Sequence, residues 1–358
     1  MSYCIIRISK LIKLKFLVKI IFMKTSLVLT TIYKPNKNII TFSKQTKKLE
    51  WDFIVIGDKK TPNNFRIEYG NYFEYNKQKK IGFDFSIKCP ANNYARKNIG
   101  YLIAIRNRSE VIVETDDDNC PKKNFFSKKS YVHKASYIMN NSWVNIYDIF
   151  KKNKKTKVWP RGLPLDEIFS NKIKLGNKKK KVFYLQQGVC EGNPDVDAIY
   201  RLLNKKINIP FRSFKVSLGN ALSTFNSQNT IWFKPIFPLL YLPVTCSMRC
   251  TDIWRSLVAL KILQFNNNEI LFFGTTMFQE RNIHNLNNDF KEEVPMYLNN
   301  KNIFNSLSNL KLIKGDYLSN LLICYKRLIK NGYISKKELI YLKSWISDIK
   351  NLKLSLNF

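Results

Sequence analysis

Three short apolar runs, interrupted by one segment of helical spacing, most constrain how this chain can fold. Residues 25–33 (TSLVLTTIY), 51–58 (WDFIVIGD) and 110–119 (EVIVETDDDN) begin as apolar, β-branched stretches, which are typical of buried strands. Residues 92–105 instead repeat apolar side chains at the spacing of a helix. Continuous apolar strands that alternate with a helix predict an α/β domain with a mostly parallel sheet.

All three predicted strands end in polar residues. The first ends at Thr30 and Thr31, Asp58 and Lys59 follow the second, and the aspartates of 116–118 follow the third. In open parallel sheets, ligands bind in the crevice beyond the carboxyl ends of the strands. We therefore expect these polar residues to line a ligand site.

The acidic triplet itself suggests a divalent cation. If the strand continues through it, Asp116 and Asp118 point to one side and Asp117 to the other. Mg²⁺ and Mn²⁺ bind through one or two carboxylates together with substrate phosphates. A solvated acidic turn or a helix cap is the alternative. The position after a parallel-type strand favours the metal site.

The second half of the chain continues the α/β pattern. A lysine-rich turn precedes a predicted strand at 182–189, and a short helix is predicted at 195–203. The strongest helical pattern covers 248–263, with apolar residues on one side and a polar side formed by Arg249, Asp252 and Ser256. After about residue 300 the sequence becomes helical with lysine-rich faces, which predicts a packing appendage.

The first 22 residues are apolar but interrupted by lysine or arginine every few positions. That pattern does not fit a spanning helix, which needs about twenty mainly apolar residues, and no clean cleavage site follows it. The segment could be a basic amphipathic element that associates with a membrane surface. It could also precede a true start at Met23, and the strand that opens directly after Met23 favours this second interpretation.

Charge and cysteine content narrow the class of protein further. The formal net charge is +35, from 61 Lys and Arg against 26 Asp and Glu, but the lysines are spread nearly uniformly among abundant Asn and Ile. No nucleic-acid motif accompanies them, so we do not expect nucleic acid as the partner. The seven cysteines are odd in number and form no C-x-x-C, which predicts a reducing, cytoplasmic compartment.

Eight stretches, in order between residues 26 and 265, resemble the STELLO-type glycosyltransferase-like family. More distantly, they are similar to the reversibly glycosylated polypeptide and UDP-sugar mutase group. The stretches are TTIYKPN (30–36), VIGDKKTP (55–62), RKNIGYLIAI (96–105), ETDDDN (114–119), VWPRGLPL (158–165), LQQGVCEGNPDVDAIYRL (185–202), FNSQNTIW (225–232) and LPVTCSMRCTDIWRSLVA (242–259).

This resemblance implies a GT-A-like, Rossmann-like domain that holds a nucleotide-sugar donor, expected to be a UDP-sugar. It also implies Mn²⁺ or Mg²⁺ at the aspartates, as a DXD motif. The expected organisation is a glycosyltransferase domain over 23–300, with a donor half at 23–175 and an acceptor half at 176–300, followed by a helical region at 301–358. Residues 1–22 stay outside that domain.

The resemblance also implies roles for single residues. Asp118 would be the direct metal ligand, and Asp116 would face the metal and the ribose or sugar. Gly100 could instead serve helix–strand packing, and the loop around Arg161 could be structural rather than a phosphate clamp with Trp159 as an apolar wall. The positions expected to bind the donor are Thr30, Thr31, Asp58, Lys59, Arg96, Gly100, Asp116 and Arg161.

The expected activity is metal-dependent transfer of the sugar to a hydroxyl acceptor in glycan synthesis. A carboxylate would take the acceptor proton; Asp252 is the first choice, and Asp195 and Asp197 are the second. Asp252 could instead pair with Arg249 or Arg255. Two alternatives stay open, a non-catalytic glycosyltransferase-like interaction protein and a UDP-sugar mutase.

Overall fold

The computed structural model describes residues 23–169, 172–282 and 284–356. The strands are β1 (Thr25–Thr31), β2 (Asp52–Gly57), β3 (Asn71–Phe73), β4 (Val111–Thr115), β5 (Asn119–Pro121), β6 (Val132–Ile138), β7 (Leu175–Val182), β8 (Leu185–Gly192), β9 (Lys215–Ser217), β10 (Asn229–Phe233) and β11 (Ile270–Gln279). The helices are α1 (Lys37–Lys48), α2 (Tyr75–Gln78), α3 (Asp84–Lys88), α4 (Lys97–Arg106), α5 (Tyr147–Phe150), α6 (Ala198–Leu203), α7 (Thr251–Phe265), α8 (Leu286–Ser308), α9 (Tyr317–Lys330) and α10 (Glu338–Leu356).

The described strands form a single sheet in the order β3-β2-β1-β4-β10-β8-β11-β9-β6-β7, and β5 pairs with β11. The first four run parallel to one another. β10 is antiparallel to both of its neighbours, after which parallel and antiparallel pairs are mixed. The predicted α/β, Rossmann-like fold is confirmed, and its parallel strands are concentrated in the first half of the chain.

Helix α4 packs directly on the parallel strands, and Gly100 makes this possible. A Cβ atom at Gly100 would lie 2.6 Å from Val28 Cγ1 and 3.0 Å from Ile56 Cγ1, closer than such atoms normally approach. The glycine therefore faces β1 and β2. Packing explains its presence, and the geometry does not support the predicted contact between Gly100 and the donor.

Helix α7 differs from its predicted amphipathic character. Its polar residues Asp252, Arg255 and Ser256 are buried together with its apolar ones. The reason is that the helix is covered on both sides: Arg255 reaches Glu114 in β4, and Trp254 Nε1 donates to Asn300 Oδ1 in α8 at 3.0 Å. The polar side predicted for this helix is therefore buried in the protein.

Glu114 and Arg255 form the ion pair at the centre of this layer. Arg255 Nη2 lies 2.8 Å from Glu114 Oε1, and both side chains are almost completely buried. Trp232 Nε1 also donates to Glu114 Oε1 at 2.7 Å, and the Tyr101 hydroxyl donates to Oε2. The pair thus joins the sheet to α4 and α7.

The C-terminal helices share the core of the sheet domain. Glu338, at the start of α10, is buried and accepts hydrogen bonds from the backbone N–H groups of Val244 and Thr245. Trp345 Nε1 donates to the Pro238 carbonyl at 3.1 Å. The predicted boundary at residue 300 falls inside α8, so helical structure begins before it.

Two observations bear on the expected compartment. The six cysteines of the described region are free thiols. Among the described helices, none is both long enough and apolar enough to cross a membrane. The basic segment 1–22 lies outside the described residues, so its predicted membrane-surface contact stays a prediction.

The central ion pair makes a testable contribution to stability. Replacing Arg255 by Met leaves Glu114 as a buried, unpaired charge, so we expect the free energy of unfolding to fall by about 3–5 kcal/mol. Lys47→Met is the control: it breaks the exposed Lys47–Glu68 pair, and such pairs contribute about 0–1 kcal/mol. Denaturant titration of both variants measures the difference, and equal losses would contradict the central role of the buried pair.

Candidate functional site

A polar cleft of about 330 Å³ opens at the carboxyl ends of β1, β2 and β4. A larger, mainly apolar cavity of about 490 Å³ lies elsewhere, beside Met23, Glu110 and Phe233, away from the acidic triplet. We assign the candidate site to the polar cleft because it gathers most of the residues predicted from the sequence. These are Thr30, Thr31, Asp58, Arg96, Asp116, Asp118, Arg161, Asp195 and Asp252.

The ends of β1 and β2 form the first wall of the cleft. Thr31 Oγ1 donates to Asp117 Oδ2 at 2.6 Å, which ties β1 to the acidic turn. The Asp58 carboxylate accepts the backbone N–H groups of Asn92 and Asn93 at 2.9 and 3.0 Å and so fixes the loop before α4. Lys60, rather than the predicted Lys59, is among the residues that line the cleft.

The acidic triplet lies in a turn and not in a strand, because β4 ends at Thr115. The predicted alternation of side chains is therefore wrong, and all three aspartates line the cleft. Asp116 Oδ1 accepts from Tyr94 Oη at 2.8 Å and lies 2.9 Å from Nζ of the buried Lys97. Asp118 Oδ2 accepts from Gln279 Nε2 at 3.1 Å.

The triplet carries more negative charge than its protein partners offset. Burial, together with the neighbouring Asp118, raises the pKa of Asp116 despite the opposing effect of Lys97. Burial and the other two aspartates raise the pKa of Asp117 to about 6, although the hydrogen bond from Thr31 opposes this. A cation in the cleft would relieve this repulsion.

The donor set fits a divalent cation that also binds substrate. No cluster of three or more His, Cys, Asp or Glu side chains in the described residues could hold a metal by itself. Asp118 Oδ1 has no hydrogen-bonding partner in that part of the chain, and Asp116 has one oxygen engaged by Lys97 and Tyr94. Mg²⁺ and Mn²⁺ sites that rely on phosphate oxygens need only one or two carboxylates.

Two arginines form a basic wall in the same cleft. Arg249 Nε donates to Glu293 Oε1 at 2.9 Å, and Arg281 Nη2 lies 2.6 Å from Asp289 Oδ2. Burial, together with the nearby Arg249, lowers the pKa of Arg281, although its partner Asp289 opposes this. No motif in the sequence predicts Arg281 as a site residue, because its position in the cleft depends on where β11 ends.

Arg161 joins two carboxylates that the sequence analysis treated as candidate bases. Its Nε and Nη2 donate to Asp195 at 2.9 and 2.8 Å, and its Nη1 and Nη2 donate to Asp252, both at 2.9 Å. The remaining donor reaches the Arg249 carbonyl. All five guanidinium hydrogens are engaged, so Arg161 has none left for a phosphate.

This pairing also weakens the case for either aspartate as the base. Burial alone would raise the pKa of Asp195 and Asp252, but the guanidinium of Arg161 holds the pKa of both carboxyls below their usual range. A general base works best with a pKa near the operating pH. The geometry therefore gives Asp195 and Asp252 a positioning role with Arg161.

Asp197 and Trp159 lie outside the cleft lining and serve α6. Asp197 Oδ1 accepts from the Tyr200 N–H at 2.7 Å as the N-cap of the helix, and Oδ2 accepts from Trp159 Nε1 at 2.6 Å. Both side chains are buried. This arrangement supports neither the predicted role of Asp197 as a general base nor the predicted role of Trp159 as an apolar wall beside the sugar.

Arg96 borders the cleft, but its guanidinium holds protein segments together. It donates to Gln78 Oε1 at 2.9 Å and to the carbonyls of Cys89 and Pro90 at 2.9 and 3.1 Å. The side chain also lies over the ring of Tyr75. Its predicted contact with the donor would require these bonds to be exchanged.

The buried cap at Asp197 predicts a pH effect. Burial raises the pKa of Asp197 from 3.8 to about 6, so the folded state binds this proton more tightly than the unfolded state. The free energy of unfolding should therefore rise as pH falls from about 6 to 4. Relative to Asp197→Asn, which cannot titrate, the wild type should gain up to roughly 3 kcal/mol between pH 8 and pH 4. Urea titrations across this range test it, and parallel pH curves for the two proteins would contradict it.

Comparison with known proteins relates this chain to one family of glycosyltransferases. A family model described as STELLO glycosyltransferases matches residues 249–358. The chain is 25% identical over 323 residues to the probable glycosyltransferase STELLO1 and 23% identical to the probable glycosyltransferase STELLO2, both of Arabidopsis thaliana. Each alignment covers 84% of this chain and 41% of the relative, so the chain spans about two fifths of their length. The predicted relationship to the STELLO-type glycosyltransferase-like family is therefore confirmed.

Proposed function

We propose that this chain is a metal-dependent glycosyltransferase that moves a sugar from a nucleotide diphosphate to a hydroxyl acceptor. The donor in this proposal is a UDP-sugar, bound in the polar cleft. The observation that carries the proposal is the meeting of an acidic turn, Asp116 to Asp118, and a basic wall, Arg249 and Arg281, in one cleft at the carboxyl edge of parallel strands. A diphosphate with a divalent cation carries both signs of charge and matches both walls.

In this proposal, some residues of the cleft contact the nucleotide and others contact the diphosphate. Thr30 and Lys60, at the ends of β1 and β2, lie where nucleotides bind in open α/β sheets. In this proposal Arg249 and Arg281, rather than the predicted Arg161, donate charge-assisted hydrogen bonds to the diphosphate. Asp116, fixed by Lys97 and Tyr94, is held in position for hydroxyls of the ribose or sugar.

In this proposal Asp118 is the direct ligand of the cation, which would neutralise charge on the leaving diphosphate. Transfer breaks the bond between the anomeric carbon and the diphosphate, forms a bond to the acceptor oxygen, and releases the acceptor proton. Cytoplasmic location, peripheral membrane contact through residues 1–22 and a glycan acceptor stay predictions.

The Arg161 pairing favours a second candidate, a non-catalytic protein that keeps the donor site. Because Asp195 and Asp252 are both bound to Arg161, neither is free to accept a proton in this arrangement. Such a protein would bind the donor without turnover on any acceptor. Product analysis with and without acceptors separates transfer from binding alone, and also from interconversion by a UDP-sugar mutase.

Metal-dependent donor binding tests the proposal. Saturating UDP or a UDP-sugar with Mn²⁺ should raise the melting temperature by about 5 °C, because the ligands bind the folded state. Asp118→Ala should remove the part of this shift that depends on Mn²⁺. Asp166→Ala, at an exposed carboxylate paired with Lys301, is the control and should keep it. An unchanged shift in Asp118→Ala would remove the metal assignment.

The basic wall predicts a separate effect on nucleotide affinity. Arg281→Met removes a charge-assisted donor, so UDP affinity measured by calorimetry should fall about 10- to 100-fold. The loss should be larger for UDP than for uridine, which has no phosphate. Arg66→Met, whose guanidinium donates to the backbone carbonyls of Asn63 and Phe65 in its own loop, is the matched control. Equal losses for UDP and uridine would contradict a diphosphate contact.

A further inference from the structure

Gln279, at the end of β11, is brought beside the acidic turn by strand pairing. β5 follows the turn directly and pairs antiparallel with β11, so that Gln279 lies opposite Asn119. Asn119 is the residue after Asp118, which places the Gln279 side chain next to that carboxylate. Asp118 and Gln279 are 161 positions apart in sequence.

The amide of Gln279 is only half satisfied. Its Nε2 donates to Asp118 Oδ2 at 3.1 Å, whereas Oε1 is buried without a hydrogen-bonding partner in the described structure. The side chain is 7% exposed and lines the cleft. Rotating the amide by half a turn would set Oε1 against the carboxylate, so the bond to Asp118 fixes which atom stays unpaired.

Asp116, two residues before Asp118, differs from Asp118 in the groups that surround its carboxylate. The buried ammonium group of Lys97 lies 2.9 Å from its Oδ1 and already supplies a cation there. Asp118 has no ion-pair partner within 4.0 Å in the part of the chain that the structure describes. Asp118 and the neighbouring Gln279 therefore bring oxygens to the cleft that no cation of the described protein compensates.

We propose that Gln279 Oε1 is a ligand of the divalent cation, beside Asp118. The inference rests on the proposed function and adds a residue to its cation site. Amide and carboxylate oxygens are hard donors, of the kind that Mg²⁺ and Mn²⁺ prefer. Nε2 of the same amide orients the Asp118 carboxylate, so Gln279 both binds the ion and positions its neighbour.

Direct Mn²⁺ binding tests this assignment without any requirement for turnover. We would measure the dissociation constant from the electron paramagnetic resonance signal of free Mn²⁺, with the full chain, first alone and then with UDP. Gln279→Leu, which keeps the bulk but removes the oxygen, should weaken Mn²⁺ binding about 10-fold or more. Gln186→Leu is the control, because Gln186 is an equally buried glutamine whose amide donates to backbone carbonyls outside the cleft.

Gln279→Glu separates a ligand from a merely structural residue. A carboxylate at this position adds a second charge beside Asp118, so it should bind Mn²⁺ more tightly than the wild type and melt at a lower temperature without metal. If Gln279→Leu fails to fold, Gln279→Glu becomes the deciding variant. Tighter Mn²⁺ binding by Gln279→Glu supports the proposal, and unchanged or weaker binding overturns it.

The outcomes also separate this inference from the proposed function. Wild-type Mn²⁺ affinity in Gln279→Leu, combined with loss of binding in Asp118→Ala, would overturn the role of Gln279 and leave the metal site intact. If Asp118→Ala also binds Mn²⁺ normally, the cation site itself is wrong and both proposals fall.

Discussion

The guanidinium of Arg161 is the contact on which the arrangement of the cleft depends. It binds Asp195, which follows β8, and Asp252, in the first turn of α7, while its own loop precedes α6 by more than thirty residues. Three segments from different parts of the chain therefore meet at one buried cation. Among the described residues, removal of Arg161 would leave Asp252 as a buried charge without an ion pair, and Asp195 with only the 3.9 Å contact between its Oδ1 and Arg249 Nη2.

This contact also explains how charge is divided in the cleft. All the N–H groups of Arg161 are engaged, whereas Arg249 and Arg281 each pair with one carboxylate, Glu293 and Asp289, and have other N–H groups without a hydrogen bond in the described structure. Across the cleft, Lys97 pairs with Asp116 and leaves Asp118 without an ion pair among the described residues. The result is a site with separate basic and acidic walls, which suits a phosphorylated ligand with its metal better than a purely cationic or anionic one.

Sequence patterns predicted β1, β2 and β4 of the parallel half because these strands are buried on both faces. They also identified polar residues at the ends of β1, β2 and β4, since the carboxyl edge of a parallel sheet follows from strand direction. They were less reliable for α7, where an apparent polar side proved buried. Periodicity records which residues differ in polarity but cannot show that the polar side is covered, here by Arg161, which donates to Asp252.

The sequence by itself determined the fold class, the place of the acidic triplet at the end of a strand and the family relationship, because these depend on local apolar patterns and short motifs. Only the tertiary structure decided which charges are free. The sequence predicted Arg161 as a phosphate ligand, but in the structure its guanidinium is bound to Asp195 and Asp252. No sequence motif marks Gln279 as a site residue. Pairing between residues far apart in the chain sets the charge and hydrogen-bonding state of each side chain, and that pairing is a property of the packed molecule.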